Sequence, residues 1–227
     1  MTSNRNIFLN HSVASEYDNY YLSETGKKID KIEKQIISFY LSNLLRGNLL
    51  ELGSGTGHWT SFFCQKGFNV TAIDESEAMI KIANSKKISN ASFLKADAGH
   101  LPFSDHSFPV VATITMLEFV EDPAKILDEI NRVLKPGGSL IVGCLNKNSE
   151  LGKIKDKDPV FRNGYFYSIG EVKDMLSRFG DPVINYGVYF SPEFAILDGT
   201  DKQDTVQPSF IAASVKKQIM IPGVFPV

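Results

Sequence analysis

The stretch LLELGSGTGHWT, residues 49–60, decides the fold. An apolar run carrying one acid, Glu51, gives way to glycines at 53, 55 and 57, and then to an aromatic helical pattern. A short continuous apolar run reads as a strand covered on both faces. Glycines directly after such a strand let the backbone take positive φ and approach a ligand closely. Strand, glycine turn and helix make the first unit of an open α/β sheet, whose ligands sit at the carboxyl ends of the strands. The spacing is GxGxG. The dinucleotide fingerprint GxGxxG puts its last glycine one position later, where this chain has His58. A plain tight turn would use the same residues, so the loop needs support from elsewhere in the chain.

Working outward, helical and strand patterns alternate for about 100 residues. NLLEL, NVTAID, ASFLKAD, VVATITM and SLIVGCL read as strands. HWTSFFCQK, SEAMIKIANSKK and PAKILDEINRVL read as helices between them, with Ser76 as an N-cap and Pro123 in a first turn. SIGEVKDMLSRFG is a further helix, and DPVINYGVYF and SFIAASVKK are the last two strands. This alternation predicts a doubly wound, mostly parallel seven-stranded α/β sheet. No helix separates the last two strands, so the final strand is expected to run antiparallel. Upstream, Ile29, Ile32, Ile36, Tyr40, Leu41 and Leu44 mark a helix between Gly26 and Gly47. Residues 1–26 show no clear apolar period and read as a lid segment. Residues 146–167 and 191–207 read as variable loops on the substrate side or surface. The whole chain, 1–227, is expected to be one domain.

Composition bounds the partners. Net charge is −2 and the charged residues are interspersed, so no basic stripe marks a nucleic-acid surface. Cys64 and Cys144 both sit in apolar patterns, which suggests a reducing, cytoplasmic setting rather than a disulfide framework. No His/Cys cluster has metal-ligand spacing. MTSNRNIFLNHSV has no apolar stretch of signal length, and no run approaches the ~20 apolar residues of a membrane span. The tail IMIPGVFPV is expected to pack on the body or fray.

Two further acids support the loop. Asp74 ends the second strand, 21 residues after Gly53, where a carboxylate accepts hydrogen bonds from a ribose diol. Asp97 ends the third strand beside Ala98, where a carboxylate receives an exocyclic amine. Asp at a strand end also caps helices. Glu51, Asp74 and Asp97 on three consecutive strands around one glycine loop argue for a nucleoside site.

These stretches resemble the class I S-adenosylmethionine-dependent methyltransferases, and within them the small ubiquinone/menaquinone C-methyltransferase-like group. LLELGSGTGHWT, VTAIDESEAMIKIA, FLKADAGHLPFSDHSF and MLEFVEDPAKILDEINRVLKPGG carry the resemblance over residues 48–180, with SIGEVKDMLSRFG less specific. The resemblance implies S-adenosyl-L-methionine as cofactor and a small-molecule methyl acceptor. It implies that Glu51 faces the methionine amino group, with Gly53, Ser54 and Gly55 against the methionine and ribose. Asp74 would hold the ribose hydroxyls, with Glu75 and Met79 beside the nucleoside. Asp97 and Ala98 would read the adenine. Thr115 and Met116 would line the methionine side. YDNYYLSETGKKIDKIEK resembles a segment that folds over the cofactor, bringing Tyr17 and Tyr21 to it.

The chain departs from the family at two places. Pro109 stands where Asp often follows SF, and it removes only one strand donor. Phe119 stands where LEHVEDP would have His, so no imidazole can act as a base there. Displacement at a sulfonium needs alignment more than proton transfer, and no catalytic residue is assigned. Among His11, His58, His100 and His106, His11 is the better base candidate because its segment closes over the site. Arg162, Tyr165, Phe166 and Tyr167 read either as an acceptor pocket or as a core patch beside a solvated arginine. A nicotinamide-dependent oxidoreductase and a non-catalytic S-adenosylmethionine-binding module are the competing readings. GxGxG and Asp97 argue against the first.

Overall fold

The computed structural model describes residues 7–197 and 206–219. Seven strands form one sheet: β1 (Asn48–Leu52), β2 (Asn69–Asp74), β3 (Ala91–Lys95), β4 (Phe108–Ile114), β5 (Leu134–Leu145), β6 (Val183–Gly187) and β7 (Phe210–Lys216). Their spatial order is β3-β2-β1-β4-β5-β7-β6. β1, β2, β3, β4 and β5 pair in parallel, and β7 runs antiparallel to both β5 and β6. Pro109 falls where the β4–β5 register shifts, between Phe108 and Val110, so its missing donor is absorbed by an irregularity.

The strands sort their side chains with period two. On β5, Leu140, Val142 and Cys144 join one core cluster while Ile141 joins the other. The first core packs under α5 (Pro123–Val133) and α7 (Ile169–Ser177), through Ile126, Ile130, Val172 and Leu176. The second packs under α2 (Glu24–Ser42) and α3 (His58–Gln65), through Ile29, Ile37, Trp59 and Phe63. Helix starts follow local chemistry. Asp122 caps α5 with Pro123 in the first turn, Ser76 caps α4 (Glu77–Ser85), and Ser168 with Glu171 forms a capping box on α7.

The N-terminal region departs from expectation. Beyond a 3-10 turn at Ile7–Leu9 lies a helix, α1 (His11–Leu22), capped by Asn10. α1 buries one small residue, Ala14, against Ala78 and Met79 of α4, so it carries no apolar stripe to read. α2 then starts at Glu24, two residues before Gly26. The expected loop 146–167 contains a short α6 (Glu150–Ile154) and two 3-10 turns. β5 begins at Leu134, upstream of the predicted Ser139, and β6 ends at Gly187. Of 191–207, residues 198–205 lie outside the described residues, as does most of the apolar tail, 220–227.

Candidate active site

The carboxyl ends of β1, β2 and β4 open onto a cavity of about 670 Å³. The glycine loop forms its floor. Gly53 has φ +73°, and a Cβ there would lie 2.3 Å from Met116 Cγ. Its N–H and that of Ser54 both donate to Ile73 O at 2.9 Å, which ties the turn to β2. Gly57, at φ +84°, caps α3 in the left-handed conformation, with Phe93 3.0 Å from where a Cβ would stand. Thr115, across the loop, also has positive φ, at 50°.

Of the residues indicated by the sequence, Tyr17, Gly53, Ser54, Gly55, Asp74, Glu75, Met79, Asp97, Ala98, Thr115 and Met116 line this cavity. Tyr21 and Glu51 do not. Glu51 lies beneath the loop, where Thr60 Oγ1 of α3 donates to its Oε2 at 2.5 Å. Burial pushes its carboxyl up to about 8, against the Thr60 hydrogen bond and with help from the Asp74 charge. Asp74 ends β2 with its oxygens aimed by the main chain. Gly55 N–H donates to Oδ2 and Ser76 N–H to Oδ1, each at 2.8 Å. Burial raises its pKa despite these two bonds. Asp97 is more open. Gly99 N–H donates to its Oδ1 at 2.7 Å, and the His100 ring stands 3.1 Å from Oδ2. Its partial burial is outweighed by Gly99, His100 and Lys125, which hold it below its ordinary value.

Side chains close the other end. Phe8 meets Phe119 edge-to-face at 4.9 Å and Tyr17 at 5.9 Å. The Tyr17 and Tyr21 hydroxyls stand 3.4 Å apart, and Tyr21 stacks on His58 at 3.5 Å and 10°. His58 Nε2 lies 2.6 Å from Asp30 Oδ1, and Lys34 Nζ donates to Asp30 Oδ2 at 2.7 Å. His58 and Lys34 hold Asp30 low in spite of its burial, the largest opposing effect. Thr56 Oγ1 donates to Asp18 at 2.6 Å, fastening α1 to the glycine loop.

His11 is exposed at the start of α1 and does not line the cavity, whereas His58 does. Its preference as a base assumed that a segment covering the site turns every side chain inward. Arg162, Tyr165, Phe166 and Tyr167 all lie off the cavity. Phe166 and Tyr167 are buried in packing, and Tyr167 donates its hydroxyl to Leu117 O at 3.1 Å. Phe8, His58, Trp59 and Lys125 line the cavity without having been singled out as ligand contacts. His58 meets Asp30, 28 residues upstream, and a reading confined to helical spacing finds only the Asp30–Lys34 pair. Among the described residues, no group of three or more His, Cys, Asp or Glu is placed to hold a metal.

A family model described as a methyltransferase domain matches residues 50–142, from the glycine loop to β5. The Methanocaldococcus jannaschii protein described as "Uncharacterized protein MJ1123" is 32% identical over 210 residues, covering 90% of this chain and 96% of that one. The chain belongs to the S-adenosylmethionine-dependent methyltransferases. It is similar to the ubiquinone/menaquinone biosynthesis C-methyltransferase UbiE of Psychromonas ingrahamii, with 36% identity over 144 residues, 58% of this chain and 55% of that protein. The chain thus matches about half the length of that relative. Among solved structures, a SAM-dependent methyltransferase of Thermotoga maritima, described as a "possible histamine N-methyltransferase", superposes with a TM-score of 0.72. It is 25% identical and covers 92% of this chain and 99% of its own. The sheet is the Rossmann-like methyltransferase sheet, and its cofactor is S-adenosyl-L-methionine.

The cavity's donors and acceptors fit that cofactor. Ser54 Oγ is buried at the floor and has no hydrogen-bond partner among the described residues. Asp74 keeps lone pairs beyond the two backbone donors it already satisfies. Added Cβ atoms at Gly53 or Gly57 would strike Met116 or Phe93.

Proposed function

We propose that this methyltransferase acts on a small molecule held at the capped end of the cavity. One observation carries the reading. A continuous cavity runs from Asp74 and Asp97 at the strand ends to Phe8, Tyr17, Trp59 and Phe119 under α1, and its volume of about 670 Å³ is that of a ligand site. Asp74 would accept the ribose hydroxyls, Asp97 and Ala98 would meet the adenine, and Gly53, Ser54, Thr115 and Met116 would border the methionine side. When bound, the cofactor would supply a methyl group on a sulfonium: the acceptor's electron pair would bond to that carbon in line, with the S–C bond breaking and the neutral thioether leaving.

The chain's own part is alignment and exclusion of water. The glycine loop is pinned by hydrogen bonds to Ile73 and Asp74, so its geometry is set before the acceptor arrives. Holding two reactants in line can supply several kcal/mol without a protein base. Phe8 and Phe119 close the cap end as an apolar edge-to-face pair. Residues 7–22 then act as the cover that the N-terminal pattern suggested. The names printed for the UbiE and Thermotoga proteins point to different acceptors, a quinone carbon and, as a possible activity, an amine nitrogen. The Thermotoga structure aligns over nearly the whole chain and the UbiE alignment over little more than half of it.

The test is methyl uptake from labelled S-adenosylmethionine by pooled small metabolites, beside binding of S-adenosylhomocysteine. Label transferred to a small molecule supports the reading. Product binding with label transferred only to macromolecules overturns the choice of acceptor.

A further inference from the structure

His58 lines the cavity, yet the methyl transfer as described gives it no work. The inference rests on reading the capped end as the acceptor site. His58 opens α3 directly after Gly57, so the glycine turn that shapes the floor also fixes where this side chain begins. Two other helices then hold its ring. Tyr21 of α1 covers one face, at 3.5 Å and 10°. Asp30 of α2 takes the Nε2 edge, with Oδ1 at 2.6 Å. Lys34, one turn further along α2, donates to the other oxygen of Asp30 at 2.7 Å.

This arrangement decides the tautomer. Against its burial, the hydrogen bonds of His58 and Lys34 hold Asp30 below its ordinary value, so it is a carboxylate, which only accepts. Two acceptors cannot share a hydrogen bond. Nε2 therefore carries a proton and donates it to Asp30, and Lys34, 3.0 Å from Nε2, finds no lone pair there. In the neutral ring the lone pair is left on Nδ1. Among the described residues, every hydrogen bond of this ring is made at Nε2. Nor is Nδ1 sealed in packing. The buried side-chain nitrogens and oxygens without a partner, among the described residues, are Ser54 Oγ, Thr113 Oγ1, Glu118 Oε2 and Ser209 Oγ.

An accessible, unpaired basic nitrogen on a ring that lines the cavity is placed to accept a proton from a ligand. Asp30 and Lys34 carry opposite charges, so their pair offers nothing to an ammonium or a carboxylate. The rings of Tyr17, Trp59 and Phe119 suit a flat apolar body. We propose that the acceptor is a small neutral phenol whose hydroxyl donates to His58 Nδ1, with His58 as the general base of the transfer and Asp30 as its positioning residue. The oxygen's electron pair would bond to the methyl carbon while the S–C pair leaves with the sulfur. The hydroxyl proton would pass to Nδ1, giving an imidazolium whose Nε2–H still meets the Asp30 carboxylate. Solvent would take that proton after the product has left.

The experiment uses the full chain, carrying 15N-histidine and saturated with S-adenosylhomocysteine, at a pH where the ring is neutral. Nitrogen–proton correlation spectra, assigned with His58→Phe, read the tautomer. Nε2–H is expected in the wild-type chain. Asp30→Ala should turn the ring to Nδ1–H, because Lys34 then donates to Nε2. Phenol and 4-methylphenol are titrated beside anisole and 4-methylanisole, which have the same body and no hydroxyl proton. The phenols should bind about fivefold tighter, the worth of one neutral hydrogen bond, and move the Nδ1 resonance upfield. With S-adenosylmethionine instead, His58→Phe should slow methylation of the tighter phenol by ~10²–10⁴ while S-adenosylhomocysteine affinity stays within twofold. An Nδ1–H tautomer in the wild-type chain would overturn the proposal, as would phenols that leave Nδ1 unmoved. Phenols that bind but take no methyl group, or an unslowed His58→Phe, would overturn the role of base. A tenfold loss of S-adenosylhomocysteine affinity in that variant would place the ring on the cofactor and count equally against it. Should His58→Phe fail to fold, the wild-type and Asp30→Ala spectra and the titrations decide alone. Failure of the wild-type chain to bind S-adenosylhomocysteine would instead count against the underlying reading of the cavity.

Discussion

The two ends of the cavity are built from different material. At the strand ends the main chain does the holding. Asp74 is aimed by the N–H groups of Gly55 and Ser76, Asp97 by that of Gly99, and the turn itself runs through positive φ at Gly53, Gly55 and Thr115. At the capped end the walls are long side chains: Phe8 of the turn Ile7–Leu9, Tyr17 of α1, Trp59 of α3 and Phe119 of the turn Leu117–Phe119. The contrast matches what each end must recognise. A ligand common to a whole family would be met by acids that the main chain holds in place. A ligand particular to one member is gripped by side chains, which can change without disturbing the sheet.

The largest effect that would sharpen this contrast is on cofactor affinity. Asp74→Ala should weaken S-adenosylhomocysteine binding by about 2–4 kcal/mol, since it removes the ribose acceptor and strands two N–H groups. Calorimetry on the folded variant checks this, and unchanged affinity would remove the backbone-held end from the comparison. Next comes Gly53→Ala. Its Cβ would stand 2.3 Å from Met116 Cγ at φ +73°, so a cost of roughly 2–3 kcal/mol is expected from overpacking and left-handed strain. A denaturant midpoint equal to wild type would show the turn to be soft.

Three buried acids should reveal themselves through pH. Glu33, Glu51 and Glu118 are pushed up to about 8, 8 and 7 from an ordinary 4.5. Between those limits the folded chain keeps protons that the unfolded chain has lost. Stability of the ligand-free protein should therefore fall as pH rises from about 5.5 to 8. Each group contributes at most about 1.4 kcal/mol per pH unit. Melting temperature against pH measures the slope, and Glu33→Gln should flatten it. A melting temperature that climbs over this range would mean that these acids are ionised and partnered. The smallest effect is at His11. It is exposed and off the cavity, so His11→Ala should change stability by less than about 0.5 kcal/mol and leave kcat unaltered. A large fall in kcat would move the reaction toward α1.

The legibility of the sequence divides along the same line. Glycines and strand-end acids announce backbone-held sites because their types are dictated by local conformation. The loop at 53–57, Asp74 and Asp97 could be placed from spacing, and so could the alternation of strands and helices around them. The cap could not. α1 buries only Ala14 and leaves no periodic trace. His58 acquires its role from Asp30 and Tyr21, which come from two other helices. Glu33 lies in the charged stretch GKKIDKIEK, which reads as a solvated face, yet the structure buries it. Phe119 shows the same limit. As a missing histidine it reads as a loss, and in the structure it is half of the aromatic seal with Phe8.

Ser23 gives the cap its architecture. It ends α1 and begins α2 as a single extended residue, with φ −68° and ψ 154°. Its hydroxyl donates to Tyr20 O at 2.7 Å and accepts from Gly26 N–H at 2.9 Å, binding both helices to one atom. A Cβ at Gly26 would stand 1.9 Å from Tyr20 O, so the elbow is filled. α1 is therefore a rigid arm about 18 Å long on a one-residue elbow. The place of Tyr17 at the cavity is thereby set by a single extended residue that lies outside it.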